Sequence, residues 1–309
     1  MMQFFESTLR AIPQPLLGLA ILLVLLGTYS LGRRVRLRQG VDPAPDETRQ
    51  MFDGFIVSAV LGLLALLLGF TFSMAVERYD QRFQLVVDEA NAISSTYLLA
   101  QTLDEPHQSR LSGILSAYAD NRLKLGQSED LDRTKALLAE SEAMQTCLWA
   151  ASVAAVGNLR DDISSNFLDN ARETIEVAGS RVSARLWHIP ARVHGVLLIY
   201  MMVTGFVLGF VFAGARQHIA TAALFVLLTM SMLLIIDLDR PTGGRIVEPE
   251  QPMQALLWSM RQNPPAKYKA FSPPAAAIPT ADEAPPPPSQ SSEWAGSCHD
   301  AQNREQPRQ

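Results

Sequence analysis

Four stretches of this sequence contain no Asp, Glu, Lys or Arg: 11–32, 54–76, 193–215 and 219–236, with lengths of 22, 23, 23 and 18 residues. A hydrocarbon core about 30 Å thick is crossed by roughly 20 apolar residues at about 1.5 Å each, so every one of these stretches has the length of a membrane span. In lipid the backbone must satisfy its own hydrogen bonds, and a single apolar segment does so only as a helix. The spans fall in two pairs separated by a long polar insert. The sequence therefore predicts an all-α chain: four transmembrane helices in a 2 + 2 arrangement, a helical extramembrane bundle over 77–190 between the second and third, and a disordered proline-rich tail over 262–309. The whole-chain averages, 48% hydrophobic, 18% charged and a mean hydropathy of +0.09, look like those of a soluble protein only because they average over two solvents.

The first stretch has one other reading, a cleaved signal peptide, since Arg10 precedes a leucine-rich core from Leu16 to Leu26 and Ser30 is small. Arg33, Arg34, Arg36 and Arg38 follow at once, as they do after an anchoring helix, and favour retention. Those arginines and Arg49 lie in the short loop between spans one and two, which the positive-inside rule places in the cytoplasm. Arg78, Arg82, Arg181, Arg185, Arg192, Arg240 and Arg245 lie close to span ends on the opposite side and pull the other way. Within the spans the hydroxyls of Thr28, Ser30, Ser58, Thr71, Ser73, Thr204, Thr229 and Ser231 are expected to bond back to helix carbonyls or to a neighbouring helix. Gly54, Ser58, Gly62 and Gly69 make a small-residue face on span two that would suit close helix packing.

Beyond Glu77 the pattern turns amphipathic. Phe83, Val86, Val87, Ala90, Ile93 and Tyr97 recur every three or four residues on a helix that continues span two without a Gly or Pro until near Pro106. A second helix carries Leu111, Ile114, Leu115, Tyr118 and Leu123 and stops at Gly126. Ser128 or Asp130 caps a third, bearing Leu131, Leu138, Met144, Cys147, Leu148 and Ala151, with Cys147 as a small buried hydrophobe. Ile163, Phe167, Ala171, Ile175, Ala178, Val182 and Leu186 line a fourth, which Pro190 ends. His188, His194 and His218 sit near span ends, where their rings can reach water.

Several functions are excluded. With 26 basic and 31 acidic residues the chain lacks the excess of a nucleic-acid binder. Cys147 and Cys298 stand alone, without CxxC, HxxxH or HExxH spacing, so neither a zinc site nor a disulfide framework is suggested. There is no nucleotide loop and no pair of intramembrane carboxylates or histidines, so no enzyme, cofactor or metal is expected.

The junction of span two with the following helix reads Gly69, Phe70, Thr71, Phe72, Ser73, Met74, Ala75, Val76, Glu77, Arg78, Tyr79, Asp80. It resembles a bacterial bestrophin pattern of Gly-Phe, then Asn, then Asp-Arg and two tryptophans. Ser73 stands for the Asn, Glu77 for the Asp and Tyr79 for the first Trp, while Asp80 departs from the second. The run LVVDEANAISSTYL and the string IIDLDRP after span four are similar to a large group of uncharacterised bacterial membrane proteins called bestrophin-like, over roughly 51–258. Bestrophins are homopentameric anion channels. The resemblance implies five copies around a pore lined by span two, with an apolar neck of three residues spaced by four. By position these are Phe70, Leu66 and Gly62, the last too small to narrow the pore. Rings of apolar side chains gate by dewetting, and the positive edges of Phe rings can face a partly dehydrated anion.

The same resemblance implies that both termini and the insert are cytosolic, against the charge of the first loop, whose arginines would then attract anions to a pore mouth. The string Asp237, Asp239, Pro241, Gly243 resembles a calcium-binding clasp of animal bestrophins, but two carboxylates are too few for a calcium site. The sequence reading is thus a multi-pass protein of a bacterial inner membrane, in contact with the lipid bilayer, forming a homo-oligomeric channel permeable to small anions. Its rival is a non-conducting anchor or sensor whose bundle binds a partner.

Overall fold

A computed structural model describes residues 14–40, 47–128, 130–157, 162–187, 189–212, 215–240, 246 and 248–269. Within these the chain is helical, with no strand among the described residues: α1 (Gln14–Arg38), α2 (Glu47–Ala100), α3 (His107–Gln127), α4 (Leu131–Val156), α5 (Asp162–Leu186), α6 (Ala191–Val211), α7 (Ala215–Asp239), α8 (Gln251–Gln262) and α9 (Pro265–Lys269). Among the described residues four helices are long and apolar enough to span a membrane: α1, the first half of α2, α6 and α7, the same four that the uncharged stretches mark. Contacts divide the chain into two units, Met1–Gln81 with Arg185–Val247, and Arg82–Ala184 with Glu248–Gln309.

In the first unit α1 packs mainly on α6 and also on α7, around Leu17, Ile21, Leu25, Leu197, Met201, Leu208, Phe225 and Met232. Glycines set how closely α1 and α6 approach. A Cβ on Gly32 would stand 2.1 Å from the Phe206 carbonyl oxygen, and one on Gly209 would stand 2.0 Å from that of Tyr29. This is small-residue packing of the kind membrane helices use, but on other helices than expected. At Gly54, Gly62 and Gly69 of α2 an added Cβ would meet nothing within 4 Å, so the small face of span two is not a packing face within this chain. Span hydroxyls do bond back to carbonyls: Thr71 to Leu67 at 2.7 Å, Thr204 to Tyr200 at 2.8 Å and Ser231 to Leu227 at 3.0 Å. The buried Thr229 hydroxyl does not.

The second unit is a helical bundle centred on Ile93, Leu111, Leu115, Tyr118, Leu148 and Phe167. Two details of the expected faces change, and the α4 cap falls on one of the two residues expected. Leu131 and Ile163 are exposed, because the buried stripes of α4 and α5 run instead through Leu137, Ser141, Leu148 and Ser152, and through Ser164, Phe167, Ala171, Thr174 and Ala178. Asp130 rather than Ser128 caps α4, accepting the Asp132 N–H at 3.1 Å. Cys147 is half-buried and disulfide-bonded, not a small hydrophobe in the core. The segment after span four adds α8, with Met253, Leu256, Leu257 and Met260 buried, and after Asn263 and Pro264 the short α9 carries helix to Lys269, into the stretch expected to be disordered from 262. The rest of the proline-rich tail lies outside the described residues.

Candidate functional site

The half of α2 that spans the membrane is two-faced although nearly every residue on it is apolar. Val57, Leu64, Thr71 and Ala75 are buried, and at about 100° per residue they occupy one side. Gly62, Leu66, Phe70, Ser73, Glu77 and Asp80 fall within an arc of about 80° on the other side, and all six are exposed. Leu66 is 53% and Phe70 63% accessible, high values for large apolar side chains in mid-helix. The junction residues divide between the faces: Gly69, Ser73 and Glu77 are open, whereas Arg78 and Tyr79 are half-buried, Tyr79 against the apolar core of the first unit. Glu77 accepts a bond from Gln81 at 3.5 Å, one turn on.

The acidic string after span four is engaged within the chain. Asp239 is buried and accepts the Ile189 N–H at 2.8 Å, just ahead of α6, where a carboxylate also meets the positive end of the helix. Asp237 is buried and accepts a bond from Gln14. Pro241 and Gly243 lie outside the described residues. No group of three metal-ligating side chains occurs among the described residues. Of the span-end histidines, His194 is buried, contrary to the expectation that its ring meets water. His218 is half-buried with Nδ1 at 2.5 Å from the Tyr29 hydroxyl, and His188 is outside the described residues.

The bundle holds a network that no local reading of the sequence suggests. Glu89 is 0% exposed and takes Arg122 Nε at 2.5 Å and Arg181 Nη1 at 2.7 Å. Arg181 also pairs with Glu250, and Arg82 pairs with Glu248 at 2.6 Å. Tyr118 reaches Glu89 at 3.5 Å and accepts from Gln145 at 3.0 Å. Burial lowers the Arg181 pKa, but Glu89 and Glu250 outweigh it and raise the pKa overall. Burial pushes the Tyr118 phenol up, so it stays neutral. Gly126 is needed here for space, since a Cβ on it would stand 1.9 Å from a Glu250 carboxylate oxygen. Among the described residues the network pairs Arg82, Arg122 and Arg181 with Glu89, Glu248 and Glu250.

Residues 19–251 match the bestrophin-like domain. The fold is similar to that of a single-substitution variant of a bacterial bestrophin homologue from Klebsiella pneumoniae, at 14% identity over 82% of this chain and 98% of that chain with a TM-score of 0.57. A structure of the Klebsiella pneumoniae homologue solved by zinc phasing gives 14% identity, 82% and 99% coverage and a TM-score of 0.57. A further structure, described as a membrane protein variant, gives 15%, 81%, 98% and 0.57. At such identities the likeness is one of fold. No curated protein matches the sequence.

Proposed function

Because the chain belongs to the bestrophin-like family, we propose that it assembles as a homo-oligomer, a pentamer by resemblance, around an ion-conducting pore lined by α2 in a bacterial inner membrane. The observation that carries this reading is the uncovered face of α2. In water such a face would be costly, at about 25 cal/mol for each Å² of apolar surface left exposed. A lipid-facing role would explain apolar residues but not the polar continuation through Ser73 and Glu77 to Asp80. A pore explains both: an apolar constriction at Leu66 and Phe70, widened at Gly62, followed by a wetted vestibule. Permeation of small anions follows from the resemblance, with the Phe70 ring edges turned to the ion.

One observation favours a second reading of the permeant ion. Glu77 and Asp80 share the arc of Leu66 and Phe70, so each copy would add two carboxylates beside the constriction, and rings of carboxylates favour cations. Purified protein in liposomes, with reversal potential measured under a salt gradient, separates the cases. Under the anion reading the potential lies toward the anion equilibrium value and Glu77→Gln raises anion flux. A potential near the cation value reassigns the ion and keeps the pore. A folded oligomer with no flux defeats the channel reading and leaves the membrane anchor or sensor.

A further inference from the structure

Span one ends in four arginines, and the structure gives them two different roles. Arg36 faces inward, its guanidinium reaching the Phe210 carbonyl at 3.0 Å and the Val211 carbonyl, both in the last turn of α6. It supplies donors to carbonyls that have no partner within their own helix, and a cation to the negative end of that helix. Arg33, Arg34 and Arg38 are exposed, and none of them has an ion-pair partner among the described residues.

Their position on the helix is the informative part. At about 100° per residue, Leu17, Gly18, Ile21, Leu25, Gly32 and Arg36 lie on one side of α1, and all but half-buried Arg36 are buried. Leu16, Leu19, Leu23, Leu26 and Leu37 lie on the other side, in an arc of about 80°, and each is exposed. Arg34 falls at the edge of that arc, and Arg33 and Arg38 flank it within about 40°. The exposed leucine stripe has the character of a surface against acyl chains. It leads, along one side of one helix, into three exposed guanidiniums at the depth where headgroups begin. We propose that Arg33, Arg34 and Arg38 form a binding surface for the phosphodiester groups of anionic phospholipids. A guanidinium gives paired N–H donors to phosphate oxygens, and the adjacent Leu37 and leucine stripe hold the same lipid's chains.

The test uses the full chain reconstituted in phosphatidylcholine vesicles, reading the fraction of spin-labelled phosphatidylglycerol immobilised by the protein against spin-labelled phosphatidylcholine. The parent is expected to prefer phosphatidylglycerol at low salt, and to lose up to about fivefold of that preference for each arginine replaced, as with Arg33→Gln, Arg34→Gln or Arg38→Gln. Arg36→Gln destabilises the fold but keeps the preference. A parent with equal preference for the two lipids, or a preference that survives all three substitutions, overturns the proposal. Displacement of the labelled lipid by inorganic phosphate alone would assign the surface to a free anion instead. Loss of oligomer mass in the triple variant would assign it to a second copy of this chain. Either outcome also overturns the lipid assignment, and the single variants keep the test decisive if the triple variant fails to fold.

Discussion

Glu89→Gln changes one oxygen to an NH2 group in a side chain that is 0% exposed, so its effect isolates charge from volume. The parent carboxylate accepts from Arg122 at 2.5 Å and Arg181 at 2.7 Å, and both guanidiniums are almost fully buried. After the change Arg181 still has Glu250, whereas Arg122 keeps the Ser141 hydroxyl at 3.5 Å and the face of the Tyr118 ring at 6.0 Å, and faces an amide that can itself be a donor. Removing one partner of a buried pair costs about 3–5 kcal/mol, because the other charge remains buried without compensation. The second acceptor on Arg181 places the expected loss near the lower end, about 3 kcal/mol, a large share of the roughly 5–15 kcal/mol of a typical domain. The assay is urea unfolding in detergent followed by far-ultraviolet dichroism. A second change, Arg122→Met, removes the stranded cation and is expected to recover part of the loss, giving a coupling of about 1–3 kcal/mol in the double-mutant cycle. A loss under about 1 kcal/mol for Glu89→Gln, or strict additivity in the cycle, would refute the argument that the Glu89 ion pairs hold the bundle.

Gly209→Val forces side-chain atoms onto the Tyr29 carbonyl and is expected to lower the unfolding midpoint sharply, while Gly62→Leu, with nothing within 4 Å, leaves it unchanged and reduces conductance. Equal thermal effects of the two would contradict the assignment of covered and uncovered faces. Glu105 bonds with Lys269 and Ser109, which hold its pKa down from 4.5 to about 2. The sign follows from the depressed value: the contact stabilises above about pH 4.5 and is lost as pH falls toward about 2. The effect on stability is small at an exposed site, so the readout is the Glu105 titration by NMR, which Lys269→Met should return toward 4.5. A midpoint that is already ordinary in the parent would remove the Lys269 contact from the account.

Much of this architecture is legible in the sequence because one property, the absence of charge over about 20 residues, is decisive in a bilayer. The bundle helices are legible from their 3.6-residue period, although the phase slips on α4 and α5: Leu131 and Ile163 are apolar, but small and polar residues such as Ser152 and Thr174 fill the covered face instead. The amphipathic spacing of Met253, Leu256, Leu257 and Met260 was readable and was obscured by Pro252 and the neighbouring glutamates, which only mark the start of α8. Which face of an apolar span is covered was not readable, since hydropathy is nearly uniform around the helix. The buried network was equally hidden. Its pairs are separated by 33, 69, 92 and 166 residues, and each charge alone looks like part of a solvated helix surface.

The most direct test of the pore assignment is ionic current through protein carrying single cysteines in a background where Cys147 and Cys298 are replaced. Each variant is recorded in a planar bilayer before and after a charged thiol reagent is added. Leu66→Cys, Phe70→Cys and Ser73→Cys, on the uncovered face of α2, are expected to lose current on modification, whereas Leu64→Cys and Ala75→Cys, on the covered face, keep it. Block at the covered positions with none at Leu66 and Phe70, or no current from a well-folded oligomer, would contradict the claim that this face lines an ion pathway.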